Sequence, residues 1–314
     1  MKTVSLIIPA YNEQESLHPL YACLCELMES HKRYNWEVLF INDGSKDNTE
    51  SIINGMVEKD ERIAMVTLSR NFGKEAAMLA GFDYVTGDCA IILDADLQHP
   101  VSVIPQMLQY WEEGYDDVFA RRRMRGDGSK LRKIFSRCYY SLLQRTSDID
   151  VLPDVGDFRL LDRKCIDTLK TLREQCRYTK GMFAWIGYKK KELLCDQQER
   201  IAGKSKWNFF SLFNLAIEGV TSFSVTPLRI SSILGFIISI VAFIYMLIII
   251  AKTLLWGESV AGYPSLMCII LFLGGIQLLS LGIIGEYLGR IFNETKNRPT
   301  YIAREYKKQS HDEK

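Results

Sequence analysis

The sequence predicts an α/β domain with a doubly wound, mostly parallel sheet, followed by an interfacial helix and two transmembrane helices. Short apolar runs alternate with helical stretches through the first hundred residues, which is typical of a parallel sheet covered by helices. Polar clusters follow the ends of these runs, and two long stretches without charge lie within residues 230–285. A chain of 314 residues is long enough for one large or two small domains.

The predicted strands are the apolar runs at residues 4–9, 36–41, 63–68 and 90–93, with a fifth at 116–119. Between the first four strands, helices are predicted to end near residues 31, 57 and 84. In sheets of this kind, ligands bind beyond the carboxyl ends of the strands. Ligand-binding residues are therefore expected in the segments that follow each strand.

The fourth strand runs into Asp94, Asp96 and Gln98, and Pro100 ends it. In an extended chain alternate residues share one face, so these three side chains are expected to reach the same point. Two carboxylates and an amide oxygen suit Mg²⁺ or Mn²⁺, ions that also hold the phosphates of a substrate. The alternative is a surface turn with solvated acids.

Polar residues after the other strands favour the metal site, because four such clusters would meet at one edge of the sheet. Asp43 is placed to accept hydrogen bonds from a nucleobase or ribose, although it could instead cap the following helix. Arg70 and Lys74 offer cations for a diphosphate, or they are solvated charges on a helix face. The first strand is followed by Asn12 and Glu13.

Three further features carry charge. The segment 121–133 is rich in arginine and is either a solvated loop or a loop that grips phosphates or an anionic membrane. Gly203 lies among cations, which suits either a backbone close to phosphate or a linker. Asp157 is expected to face the site, unless it pairs with Arg159 or Arg163.

Bulk composition excludes several classes of protein. The net charge of +1 says nothing about nucleic acid, but the lack of aromatic residues among the basic ones at 121–133 argues against it as a partner. The eight cysteines lack zinc spacing, and a disulfide framework would be unusual in a reducing compartment. The first apolar run is too short for a signal peptide, so the soluble part is expected in the cytosol.

The second half of the chain predicts membrane attachment. Residues 207–229 are predicted to form amphipathic juxtamembrane helices, and residues 230–286 are predicted to form a transmembrane hairpin. Residues 230–250 lack charge and would span about 31 Å as a helix, enough for a bilayer core. The basic tail at 287–314, compared with the single Lys252 in the connecting turn, places both termini and the domain at 1–206 on the cytosolic side.

The segments 9–13, 42–45, 94–100 and 156–160 together resemble the family 2 glycosyltransferases of GT-A fold. The two spans and the segment 285–290 are more narrowly similar to the bacterial bactoprenol (undecaprenyl-phosphate) glucosyltransferases of the GtrB type, relatives of dolichol-phosphate mannose synthase. Asn42 stands where many relatives have aspartate, but Asp43 is retained. The Gln-x-x-Arg-Trp element of processive synthases is absent, which favours a single transfer.

The resemblance implies a role for each matching residue. Asp157 and Asp96 would act at the reacting centre, and Asp94 would contact the donor as well as the metal. The implied nucleoside-binding residues are Pro9, Tyr11, Asn12, Glu13 and Asp43; the metal ligands are Asp94, Asp96 and Gln98; the phosphate-binding residues are Arg122, Arg132, Arg200 and Lys204, of which Arg122 and Arg132 are also expected to be catalytic. Lys74 is expected to bind the substrate as well, as a cation for its diphosphate.

The expected reaction is the metal-dependent, inverting transfer of one sugar, with UDP-glucose as the first choice of donor, to undecaprenyl (polyprenyl) phosphate at the cytosolic face of the cell membrane. The family branch suggests a homotetramer. A phosphate monoester is largely a dianion at pH 7 and needs no general base, so Asp157 is expected to orient groups or stabilise positive charge on the sugar. A processive polysaccharide synthase and a non-catalytic, membrane-tethered nucleotide-binding scaffold are the alternatives.

Overall fold

The computed structural model describes residues 1–122, 155–175, 177–195, 226–256 and 262–309. Arg132, Arg200 and Lys204 lie outside the described residues, as does nearly all of the expected juxtamembrane segment at 207–229. For Arg122 only the backbone is described. The roles expected of these four residues therefore stay predictions.

Eight strands of the described chain form one sheet in the order β7-β5-β6-β4-β1-β2-β3-β8. The first four strands along the chain are parallel, as predicted. Each is a run of buried apolar residues, and a helix connects it to the next strand. The strands are β1 (Thr3–Ala10), β2 (Asn35–Asn42), β3 (Ile63–Leu68), β4 (Cys89–Ile92), β5 (Asp117–Arg122), β6 (Val155–Asp162), β7 (Lys190–Cys195) and β8 (Ala303–Lys308).

The sheet is mixed but mostly parallel, as expected: four of the seven pairings between the described strands are parallel, and only β6 and β8 among them run against the others. β6 lies antiparallel between β4 and β5, and β8 lies antiparallel against β3. β8 has the sequence Ala-Arg-Glu-Tyr-Lys-Lys, so it lacks the apolar run by which the central strands were recognised. Charged residues of this kind are typical of the strand at an exposed sheet edge.

Helices cover both faces of the sheet, and each face has its own apolar core. Leu20, Ile53 and Met107 represent the helices on one face, while Met78, Ile166 and Phe183 represent those on the other. The first layer contains α1 (Leu17–Ser30), α2 (Thr49–Val57) and α4 (Ile104–Glu112), and the second contains α3 (Lys74–Tyr84), α5 (Arg163–Thr171) and α6 (Thr179–Trp185).

Two long helices follow, α7 (Thr226–Trp256) and α8 (Tyr263–Thr295), and they contact each other as a hairpin. Phe236, Phe243, Leu278 and Leu281 are more than half exposed, so apolar surface faces outward. Within the described residues, one helical stretch, Phe272–Thr295, is long and apolar enough to cross a membrane by length and composition. The apolar stretch Ile230–Tyr245 of α7 is shorter.

The C-terminal boundary differs from the one predicted from the sequence. The expected end of the hairpin at residue 286 lies inside α8, which continues to Thr295. The basic segment after it returns to the sheet as β8 instead of forming a separate tail. The last membrane-type helix and the edge of the sheet are therefore only seven residues apart, at 296–302.

Candidate active site

The carboxyl ends of β1 and β2 lie side by side, because their register pairs Ala10 with Asn42. The loops that follow are joined by hydrogen bonds: the amide of Asn12 donates to Ser45 Oγ (3.0 Å), and Asn12 Oδ1 accepts from the amide of Lys46 (2.8 Å). Asn12 has a φ of 56°, a left-handed conformation that asparagine tolerates better than most residues. The expected nucleoside-binding residues of this loop therefore lie at the carboxyl edge of the sheet.

The other members of that set occupy different environments. Tyr11 is 37% exposed, whereas Pro9 belongs to β1 opposite Ile41. The amide of Glu13 donates to Thr49 Oγ1 (2.8 Å), which ties this loop to the start of α2. Tyr11 is thus the exposed aromatic member of the set, as a stacked base requires.

Asp43 fastens the loop between β3 and α3. Its two carboxylate oxygens accept hydrogen bonds from the amides of Phe72 (2.7 Å) and Gly73 (2.9 Å), and the residue is buried. The residue at the N-terminal boundary of α2 is Asn48, so the alternative of Asp43 as a helix cap is not what the structure has. Burial raises the pKa of Asp43, and the two amide hydrogen bonds oppose that rise. Its contact with a nucleoside stays a prediction.

Gly44 permits the close approach of these two loops. It has a φ of +65°, and a Cβ atom there would lie 2.5 Å from the carbonyl carbon of Arg70. Arg70 itself is exposed, with its guanidinium 4.2 Å from the ring centre of Phe72. No contact joins Arg70 to the carboxylates described next.

Lys74 joins the acidic residues that the sequence singled out. Its Nζ lies 2.6 Å from Asp94 Oδ1 and 2.7 Å from Asp157 Oδ2. Lys74 begins α3, Asp94 follows β4 and Asp157 belongs to β6, so three distant segments meet here. Lys74 keeps an exposed side chain, but it is paired with two carboxylates and so is not only a solvated helix charge.

The expected structural partners of Asp157 are engaged elsewhere. Arg159 forms a buried ion pair with Asp117 (3.0 Å), and Arg163 donates to the carbonyl of Gly87 (2.8 Å). Asp157 Oδ1 is buried without a hydrogen-bond partner. An orphaned carboxylate oxygen is costly to maintain, which makes Asp157 a candidate for function, but Asp117 Oδ1 in the buried ion pair lacks a partner as well, so the lysine bridge is the stronger observation.

Electrostatics keep all three groups of the bridge charged. Desolvation by itself would lower the pKa of Lys74, but the two carboxylates outweigh it and raise the pKa. Desolvation would raise the pKa of Asp94 and of Asp157, and the Lys74 ammonium more than reverses this for both. Two carboxylates against one ammonium leave this bridge with a net negative charge.

The segment from Asp94 to Gln98 is a turn, which corrects the extended row expected from the sequence. β4 ends at Ile92, and Leu97 has a φ of 57°. Asp94, Asp96 and Gln98 are nevertheless half-buried while the residues between them are buried, and the amide of Gln98 donates to Asp96 Oδ1 (3.1 Å). The turn therefore keeps the three side chains on the accessible side.

The donor set fits a divalent cation held jointly with a substrate. In the part of the chain that the structure describes, no three histidine, cysteine or acidic side chains cluster to hold a metal by themselves. Mg²⁺ at phosphate sites is typically bound by one or two carboxylates together with the phosphates. Asp94 and Asp96 supply that number, and Gln98 adds a neutral oxygen.

Two neighbours of the bridge were missed by sequence reasoning. His99 Nε2 lies 3.6 Å from Asp94 Oδ2, and its ring stacks on Phe158 with centroids 4.9 Å apart. Glu75 accepts hydrogen bonds from the amide (3.1 Å) and hydroxyl of Thr179. His99 could have been suspected from its place directly after Gln98, whereas no local pattern pairs Glu75 with Thr179.

Comparison with known proteins gives consistent results. Residues 5–170 match the family described as Glycosyl transferase family 2, and residues 226–291 match the GtrB C-terminal hairpin. The chain is 44% identical over 305 residues to a prophage bactoprenol glucosyl transferase homolog of Escherichia coli, covering 97% of this chain and 99% of that one. It is 42% identical over 301 residues to a prophage-derived bactoprenol glucosyl transferase of Shigella flexneri, covering 96% and 97%.

Proposed function

The chain belongs to glycosyl transferase family 2, and from that premise we propose that it moves one sugar from a nucleotide sugar to undecaprenyl phosphate at a membrane surface. It is a glycosyltransferase, and its C-terminal part is a hairpin of the GtrB type. The sugar that we propose is glucose, because both bactoprenol relatives described above are named glucosyl transferases. We propose UDP as its carrier, the donor expected from the sequence.

The observation that carries the proposal is the position of Lys74 between Asp94 and Asp157 at the carboxyl edge of the sheet. A transferase for sugar nucleotides must hold a diphosphate beside the anomeric carbon and stabilise the charge that develops as the diphosphate leaves. A cation and accessible carboxylates at one point supply groups for both tasks. They also argue against a non-catalytic nucleotide-binding scaffold.

We assign roles to the residues as follows. Asp94, Asp96 and Gln98 would hold Mg²⁺ or Mn²⁺, which when bound supplies positive charge for the diphosphate. Lys74 holds Asp94 and Asp157 in place and adds a fixed positive charge beside the leaving group. The loop with Tyr11 would receive the nucleoside.

Asp157 is proposed to orient the sugar and to stabilise positive charge on it. The lowered pKa of Asp157, which Lys74 imposes against desolvation, makes it a weak base. The acceptor phosphate is largely a dianion near neutral pH because its second pKa is about 6, so it attacks the anomeric carbon without losing a proton in the same step. The result is a single inverting transfer.

The acceptor is a lipid, and the hairpin is proposed to bring the site to it. We propose that α7 and α8 both cross the membrane, with the catalytic domain and both termini in the cytosol, because cations are more frequent after the hairpin than in its turn. The arginine-rich segment 121–133 would contact phosphates of donor or acceptor. A homotetramer is the oligomer that we expect.

The test is transfer of radiolabel from UDP-glucose into extractable lipid by membranes that contain the full chain and added undecaprenyl phosphate. We expect one labelled lipid product carrying a single hexose, with loss of the activity in EDTA and its return with Mg²⁺ or Mn²⁺. A ladder of longer products would favour a processive synthase instead. Release of UDP without labelled lipid would exclude undecaprenyl phosphate as the acceptor.

A further inference from the structure

The segment that follows α8 is bound along its length to the catalytic domain. We call residues 296–308 the C-terminal strap. The amide of Ser69 donates to the carbonyl of Ile302 (2.9 Å), and β8 then pairs with β3 from Ala303 to Lys308. Ser69 begins the loop that Asp43 fastens and that leads into Lys74. One end of the strap therefore braces the loop that carries the bridging lysine.

Side chains add a second set of contacts near the start of the strap. The hydroxyl of Tyr301 donates to Asp83 Oδ2 (2.7 Å), and Arg173 binds both oxygens of Asp83 (2.7 Å each). Asp83 lies in the last turn of α3, the helix that Lys74 begins. The strap is thus joined to this helix through Asp83 as well as to the neighbouring strand.

A third set of contacts links the end of α8 directly to the domain. The amide of Gln175 donates to Glu294 Oε1 (2.8 Å), and the side-chain amide of Gln175 donates to the carbonyl of Arg298. Four residues after Gln175, Thr179 donates to Glu75, which neighbours Lys74 in α3. The membrane-type helix and the bridging lysine are therefore joined by two short, hydrogen-bonded routes.

The physical need for such contacts follows from the two substrates. The membrane sets the depth of a lipid phosphate, whereas the carboxyl edge of the sheet sets the position of the proposed sugar donor. Reacting atoms must lie about 3–3.5 Å apart, and a misplacement of about 1 Å can cost roughly 10²-fold in rate. A free linker of seven residues would let its ends vary over about 15 Å.

We propose that the C-terminal strap holds the carboxyl edge of the sheet, with Lys74, at a fixed height and angle relative to α8. Gln175, Tyr301 and Asp83 are then positioning residues for the lipid acceptor. The inference rests on the proposed transfer to a membrane lipid. It goes further by assigning a function to contacts that lie away from the reacting groups. Nucleotide binding does not depend on the height of the domain above the membrane. Loosening the strap should therefore lower sugar transfer to lipid while leaving UDP binding unchanged.

The decisive variant lengthens the strap without removing any of its contacts. Inserting Gly-Ser-Gly between Pro299 and Thr300 leaves α8, Tyr301 and β8 intact but frees the path between them. We expect kcat for transfer from UDP-glucose to undecaprenyl phosphate in membranes to fall at least about 30-fold. The Kd for UDP, measured by calorimetry on the purified full chain, should stay within about twofold.

A matched control places the same insertion beside Gly114, in the exposed turn between α4 and β5. This variant should keep both transfer and UDP binding, because the turn lies on no route between α8 and Lys74. Gln175→Ala is the second variant and serves where the insertion disturbs folding. It should lower kcat about tenfold with an unchanged KM for UDP-glucose.

The outcomes separate the two proposals. Transfer by the strap insertion at more than a third of the wild-type rate would overturn the role of the strap while leaving the proposed function intact. A wild-type protein that binds UDP but labels no lipid would refute the proposed function instead. Loss of UDP binding in Gln175→Ala would show that this contact supports the fold of the nucleotide site and would overturn the assignment as a positioning residue.

Discussion

The amino and carboxyl ends of the strands differ in how their charged side chains are partnered. At the amino ends of the strands, the buried Glu37 accepts hydrogen bonds from the hydroxyl of Ser5 and from the amide and hydroxyl of Thr86. Arg163 there donates to the backbone carbonyl of Gly87. Arg163 also pairs with Asp167 (3.5 Å). Asp117, at the amino end of β5, pairs with Arg159 (3.0 Å), so each charged group here has partners of its own within the fold.

At the carboxyl ends, two carboxylates share one cation instead. Asp94 and Asp157 share the single ammonium of Lys74, and Asp157 Oδ1 is buried without a partner. Buried carboxylates that compete for one cation cost stability, so this arrangement is not explained by folding alone. Charged groups at the amino ends thus have their partners within the fold, whereas we propose that the shared lysine bridge at the carboxyl ends serves cations and phosphates that the chain does not supply.

The strongest test of this comparison exchanges one atom at each end of β4. Asp94→Asn weakens both the bridge to Lys74 and the proposed metal site, so we expect kcat for lipid glycosylation to fall about 10²–10³-fold. Asp88 directly precedes β4 and accepts a hydrogen bond from the amide of Thr3 (2.7 Å). Asp88→Asn should cost at most about 1 kcal/mol of stability and leave kcat within twofold.

Radiolabel transfer and thermal unfolding in detergent measure the two effects. Equal losses of activity in Asp94→Asn and Asp88→Asn would contradict the difference between the two ends, because both ends of β4 would then contribute equally to catalysis. Asp96→Ala should resemble Asp94→Asn and remain folded and membrane-bound.

A second pair of variants applies the same logic to β6. Asp157→Asn should lower kcat about 10²-fold because it removes the charge beside the sugar. Asp162 lies at the opposite end of β6, where it accepts from the indole of Trp111 (2.7 Å) and from the amide of Lys164 (3.1 Å). Asp162→Asn should reduce stability and spare kcat.

The pH profile distinguishes the possible roles of Asp157. Both wild type and Asp157→Asn should gain rate as pH rises through about 6, where the acceptor phosphate becomes a dianion. Parallel profiles are expected if Asp157 orients the sugar. A variant whose rate climbs steadily above pH 7 while the wild type stays level would identify Asp157 as a general base.

Much of the central fold and of the site could be predicted from the sequence. The four parallel strands are apolar runs, and their polar continuations had to meet at one edge, so Lys74 and Asp94 were expected there. The bridge to Asp157 depends on β6 entering the sheet antiparallel beside β4, and no local pattern indicates that direction. The extended row from Asp94 to Gln98 was wrong because Leu97 turns the chain.

The edge of the sheet was harder to predict, for a physical reason. β8 is stabilised by backbone pairing with β3 and by contacts such as Tyr301 with Asp83, not by an apolar run of its own. The contact between Glu75 and Thr179 joins residues 104 positions apart. Interactions of this kind become visible only when the chain is folded.

Gly44 and Gly114 allow the two ends of the sheet to be compared by backbone substitutions. Gly44→Ala imposes a left-handed conformation on alanine and places Cβ 2.5 Å from the backbone of Arg70, so the loops must separate. We expect KM for UDP-glucose to rise about tenfold, equivalent to about 1.4 kcal/mol. Gly114, at the other end of the sheet, has a φ of +88° and open space around it, so Gly114→Ala pays only the strain of about 1–2 kcal/mol.

Kinetics and thermal unfolding of both variants separate strain from close approach. Gly114→Ala should unfold at a lower temperature with an unchanged KM. If Gly44→Ala also left KM unchanged, the loop that Asp43 fastens would not contribute to donor binding.

The smallest expected effect concerns the pH dependence of stability. Desolvation, together with the nearby Asp157, raises the pKa of Glu75 from 4.5 to about 7. Between these values the folded protein holds a proton that the unfolded chain has released, so stability falls as pH rises through this window and stays lower above it. Glu75→Gln removes this titration, and from pH 5 to pH 8 it should gain on the order of 1 kcal/mol relative to wild type.

The matched substitution at the amino end should act in the opposite direction. Glu37→Gln replaces an acceptor oxygen with an amide that faces the donors of Ser5 and Thr86, which should cost about 1–3 kcal/mol at pH 8. Thermal midpoints of both variants at pH 5 and pH 8 provide the measurement. If Glu75→Gln destabilised the protein at pH 8 as much as Glu37→Gln, the charge of Glu75 would be structural, and the two ends of the sheet would differ in chemistry only at the lysine bridge.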